Sequence, residues 1–80
     1  MSTEQLLGVP AVKLYAMAVH LSRQWQKRHV KLSDVQMASI TGLDVDALRG
    51  AQEELAKAEL LTITHVGSKT RYVFAKTSRD

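Results

Sequence analysis

The sequence predicts a mainly α domain that closes with a small β-hairpin, three helices followed by two strands. Three observations predict it. Apolar residues recur at steps of three and four up to about residue 59, strict alternation takes over from Leu61, and capping residues stand where the pattern changes. Eighty residues are enough for one hydrophobic core and too few for two.

The elements follow in order. Residues 1–9 are a polar and small-residue lead, flexible by composition. Pro10 suits the first turn of a helix, where its missing N–H costs nothing. Ala11, Leu14, Ala18, Leu21 and Trp25 make one stripe of a first helix over 10–26, which Tyr15, Met17 and Val19 widen. A basic, polar run over 24–31 ends it, and Val30 and Leu32 flank Lys31 in an extended pattern. Ser33 reads as an N-cap, with Gln36 completing a capping box. The second helix therefore covers 33–41 and stops at Gly42, suited to positive φ. Asp44 caps a third helix over 45–59, with Leu48, Ala51, Leu55 and Ala58 as its stripe. Residues 61–66 and 71–75 alternate as strands around a turn at 67–70. The domain is thus expected over 10–76, with a flexible tail at 77–80. Its expected core is Leu14, Ala18, Leu21, Met37, Ala38, Leu43, Leu48, Leu55, Leu61, Ile63, Val73 and Phe74.

Composition narrows the function. Hydrophobic residues make up 45% of the chain, enough apolar surface to exclude disorder as the whole answer. The absence of cysteine excludes disulfides, thiolate metal sites and cysteine nucleophiles. His20, His29 and His65 fall in separate elements, without the spacing a metal needs. Glu53 and Glu54 are neighbours on a helix and point to different faces, unlike a working acid/base pair. No glycine-rich phosphate loop occurs. The expectation is a non-enzyme without cofactor or metal. No window reaches the ~20 apolar residues of a membrane span, and the N-terminal stretch lacks the order of a secretory signal. A cytoplasmic protein without membrane contact is expected.

Net charge is +3, unevenly spread: +3 over residues 1–43, −3 over 44–59 and +3 over 60–80. Basic flanks around an acidic middle invite a nucleic-acid partner.

Ala38, Gly42 and Leu48 carry the sharper signal. A small residue suits the closest approach of two helices, glycine suits the turn, and Leu43 and Leu48 plug the angle between them. With the following hairpin GSKTRYVFA and the pair Leu60–Leu61, the stretch SDVQMASITGLDVDALRGAQEELAKAELLTI resembles the winged helix-turn-helix domains. It is most similar to those of bacterial and phage transcriptional regulators and replication initiators, over roughly residues 11–76. The resemblance implies double-stranded DNA binding, with the third helix in the major groove.

Carried over, that helix presents Val45, Asp46, Arg49, Gly50 and Glu53. Arg49 is read either as a base contact or as the partner of Asp46 and Glu53 in an intrahelical ion pair. Gln52 lies nearer the buried side. Ser68, Lys69, Thr70 and Arg71 would set two cations and two hydroxyls on the hairpin tip for phosphate or minor-groove contact. Arg23, Lys27, Arg28, His29 and Lys31 form the strongest basic cluster, giving affinity without sequence information if it flanks the duplex. Ser33 and Gln36 at the start of the second helix are candidate phosphate donors. Trp25 caps the core or anchors a homodimer through the first helix. The competing expectation is a protein-interaction module that docks a basic partner on the acidic third helix.

Overall fold

Among the described residues, three helices are each closed by the same backbone device, and only one of the three uses glycine for it. The computed structural model describes residues 7–74. It orders them as α1 (Val9–Trp25), β1 (His29–Ser33), α2 (Asp34–Thr41), α3 (Val45–Lys57), β2 (Leu61–Val66) and β3 (Lys69–Phe74). After α1, Gln26 takes φ 57°, and the N–H of Lys27 reaches back to the Ser22 carbonyl. Gly42 with φ 77° does the same after α2, where Leu43 N–H meets the Ala38 carbonyl. Glu59 with φ 61° repeats it after α3, where Leu60 N–H meets the Leu55 carbonyl. This six-to-one closure satisfies carbonyls that the helix leaves unpaired.

The starts are capped as the residue types dictate. Ser33 Oγ accepts from the Gln36 N–H at 3.1 Å, and the Gln36 side chain accepts in return from the Ser33 N–H at 3.3 Å. Asp44 accepts from the Ala47 N–H at 2.8 Å. The start of α1 is held from elsewhere: Gly8 N–H donates to the Glu54 carboxylate of α3 at 2.9 Å.

The strands form one three-stranded antiparallel sheet in the order β1-β3-β2, with β3 central. Three expectations are corrected by these elements. The stretch around Lys31 is a full strand, so the hairpin is part of a three-stranded sheet. The turn is shorter than 67–70 because β3 already begins at Lys69, paired with both Ser33 and Val66. α3 also ends at Lys57, two residues early. The expected ends of the chain, residues 1–6 and 75–80, lie outside the described residues.

Register decides the core. Val30, Thr70, Tyr72 and Leu61 turn toward the helices and are buried, joining Ala11, Leu14, Ala18, Met37, Ala38, Leu48, Ala51 and Leu55. Leu21, Leu43, Ile63, Val73 and Phe74, expected inside, are half-buried. For Val73 the reason is parity: on β3 the inward residues are Thr70, Tyr72 and Phe74. Phe74 packs edge-on against Tyr15 with ring centroids 6.1 Å apart. Among the described residues no helix is long and apolar enough to cross a membrane.

Candidate functional site

The pairing of β1 with β3 gathers cations that are far apart in sequence. Lys31 stands directly opposite Arg71, and Ser33 opposite Lys69. By alternation these residues share the sheet face turned away from the helices, together with His29, Val73, Thr62, Thr64 and Val66. Lys31, Lys69 and Arg71 are exposed, and none of the strand residues on this face is acidic. Like charges set directly opposite one another destabilise a sheet. Lys27 and Arg28 are exposed in the connection leading into β1.

The other side of the hairpin faces α3 across a groove of about 620 Å³. Arg49 and Glu53 line it from α3, Ile63 and His65 from β2, and Gly67, Ser68 and Lys69 from the hairpin tip. Its floor is a polar network of Asp34, Gln52 and Thr70. Thr70 Oγ1 donates to Asp34 Oδ1 at 2.7 Å. Gln52 Nε2 donates to the same oxygen at 3.1 Å and to the Tyr72 hydroxyl at 2.9 Å. His65 Nδ1 lies 3.1 Å from Thr70 Oγ1. Four elements, α2, α3, β2 and β3, are thereby joined through side chains at the point where hairpin meets helices. Burial pushes the Tyr72 phenol up to about 12, the Gln52 hydrogen bond opposes the shift, and the Asp34 charge adds to it.

The sequence-derived candidates therefore divide. Lys31, Lys69 and Arg71 come together on the outer sheet face, and Ser68 and Lys69 hold the tip. Arg49 lines the groove, while Asp46 is exposed on α3. Thr70 is corrected: it is 2% exposed, and its hydroxyl is turned inward to Asp34 instead of standing at the tip. Ser33 and Gln36 serve each other in the capping box, which takes up the Ser33 hydroxyl and the backbone N–H groups of both residues and uses the Gln36 side chain as an acceptor. Gln52 is buried in the network, out of reach of a base. Among the described residues nothing lies within 4 Å of where a Cβ at Gly50 would stand, so none of them requires glycine there. Trp25 is half out of the surface at 41% exposure.

Sequence reasoning missed Asp34, Gln52 and Tyr72 as a unit. Asp34 looks like an ordinary first-turn acid, and nothing local separates it from one. The one available hint was Thr70 and Tyr72 at a two-residue interval, polar groups on what register makes the inner face. Among the described residues no group of three or more His, Asp or Glu is placed to hold a metal ion. No protein-family model, curated protein or solved structure matches this chain.

Proposed function

We propose that this chain is a winged helix-turn-helix domain that binds double-stranded DNA, acting in transcriptional control or replication initiation. In this reading the β2–β3 hairpin is the wing and α3 lies in the major groove. The observation that carries it is the direct apposition of Lys31 and Arg71, with Lys69 beyond them, on a sheet face whose strands bring no acid. That arrangement lowers the stability of the free sheet. A phosphate backbone laid along it removes the repulsion and releases counterions, so the same charges favour the complex. The tight turn at Gly67 and Ser68 gives the wing a tip of two small residues, the part that enters the minor groove in this reading. Arg49, exposed beside the groove, is the base reader of α3, and guanine is its natural partner.

The test is an anisotropy titration of random duplex at two salt concentrations. Removing each phosphate-contacting cation flattens the slope of log K against log salt by about one unit. Lys69→Ala with Arg71→Ala therefore weakens binding to all sequences alike. Arg49→Ala costs about 1–3 kcal/mol on a preferred site and far less on random DNA if it reads guanine. Absence of salt-sensitive binding at low ionic strength refutes the reading. One observation favours a second: Asp44, Asp46 and Glu53 are exposed on or beside α3 next to Val45, itself 38% exposed. Such a face suits a basic protein partner, and it is the place to look if DNA binding fails.

A further inference from the structure

We propose that His65 is a base-reading residue of the wing, fixed as a hydrogen-bond acceptor that selects the exocyclic amino group of guanine in the minor groove. The proposal deepens the DNA-binding reading above and rests on it.

The hydrogens shared among Asp34, Gln52, Thr70 and His65 in the groove floor can be placed one by one. Asp34, as a carboxylate, has none to give. It receives the Thr70 hydroxyl at 2.7 Å and one Gln52 amide hydrogen at 3.1 Å. The other Gln52 amide hydrogen goes to Tyr72 at 2.9 Å. Thr70 owns a single hydroxyl hydrogen, and Asp34 has it. What remains on Thr70 Oγ1 is lone pairs, so the 3.1 Å contact from His65 Nδ1 is made by a hydrogen that the ring supplies. In the neutral imidazole a hydrogen on Nδ1 leaves Nε2 with a bare lone pair. The tautomer of an exposed histidine is thus set from a half-buried carboxylate, through a threonine that is 2% exposed.

The position of the ring gives that lone pair a use. His65 pairs across the hairpin with Thr70, one step from the Val66–Lys69 pair that flanks the turn. It is exposed, on the wall of the groove that faces α3. The minor groove presents acceptors at every base pair, adenine N3 and thymine O2 among them, and these repel a lone pair. The one donor there is the N2 amino group of guanine. A side chain that can only accept has a single base partner in that groove. Asp34 and Thr70 are positioning residues: without Asp34, Thr70 is free to donate to the ring, and the ring is free to carry its hydrogen on Nε2.

The experiment compares binding of the 80-residue chain to alternating dG–dC and dI–dC duplexes of equal length. The assay is anisotropy at about pH 8, at the top of the range in which imidazoles titrate. The two duplexes share phosphates and the major-groove acceptors of the purine, and hypoxanthine lacks the N2 amino group. The chain is expected to bind dG–dC roughly threefold to tenfold more tightly, the worth of one net hydrogen bond. His65→Phe brings the ratio close to one. Thr70→Val, which removes the hydroxyl at constant shape, does the same, and Thr70→Ser keeps the preference. Comparing variants cancels differences of shape between the duplexes, and far-UV circular dichroism verifies that each is folded. If Thr70→Val does not fold, His65→Phe, at an exposed strand position, decides alone. Equal affinity of the parent chain for the two duplexes, or a preference that survives in His65→Phe, overturns the assignment and leaves DNA binding standing. No salt-sensitive binding to either duplex overturns both.

Discussion

Asp34 is the residue on which the join between hairpin and helices depends, and its removal has a calculable cost. Asp34→Ala deletes the acceptor of two hydrogen bonds, from Thr70 Oγ1 at 2.7 Å and Gln52 Nε2 at 3.1 Å. Both donors belong to buried residues, Thr70 at 2% and Gln52 at 5% exposure. Each buried donor that loses its acceptor costs about 1–3 kcal/mol, and water entering from the open groove, with His65 Nδ1 as a substitute acceptor 3.1 Å from Thr70 Oγ1, holds the sum near the lower end, about 2–4 kcal/mol. Thr70→Val alone removes the hydroxyl and one of the two donors to Asp34, at about 1–2 kcal/mol. In the double variant the hydroxyl that lost Asp34 no longer exists. The two changes together therefore cost less than their sum by about 1–2 kcal/mol, a coupling expected of residues in one network. Urea unfolding followed by far-UV circular dichroism on the four proteins gives the number directly. Additivity to within about 0.5 kcal/mol refutes the network, because that is the behaviour of distant, independent sites.

Three further outcomes follow from particular residues. Leu48 is fully buried between helices, so Leu48→Ala costs about 2–5 kcal/mol in the same unfolding assay, a large part of the stability of any small domain. Tyr72 carries a phenol raised from 10.0 to about 12 in the folded chain. Folding therefore keeps a proton that the unfolded chain releases, and this contribution is whole below pH 10 and lost as pH climbs toward 12, by about 2–3 kcal/mol. Tyr72→Phe removes that part of the alkaline instability; an unchanged slope of stability against pH between 10 and 12 contradicts the burial argument. Glu59 holds φ 61° without being glycine, so Glu59→Gly raises stability by about 0.5–1 kcal/mol. A lower melting temperature in that variant would show that the Glu59 side chain contributes more than its strained backbone costs.

The residues that chose their structure locally were readable in the chain. Ser33 with Gln36, Gly42 and Asp44 act through neighbours three to five positions away, so capping chemistry placed the ends of α2 and the start of α3 before any tertiary contact was known. The periodic stripes through Leu14, Ala18, Leu48, Ala51 and Leu55 likewise name buried faces, because the helix itself brings those side chains together. Gln26 and Glu59 were not readable as helix terminators: their left-handed backbone is imposed by the closing hydrogen bonds, and their residue types give no sign of it.

What only the tertiary structure decided is everything that depends on strand pairing. An extended stretch at His29–Ser33 becomes a strand because β3 offers it an edge, and a five-residue segment cannot announce a partner some forty positions away. That pairing sets the parity of β3, sending Thr70 and Tyr72 inward and Arg71 outward to face Lys31. The charges and polar groups were all visible in the sequence. Their sorting was not: a cationic sheet face on one side and a part-buried Asp34–Gln52–Thr70 network on the other arise from a two-residue period whose phase is fixed by long-range hydrogen bonds.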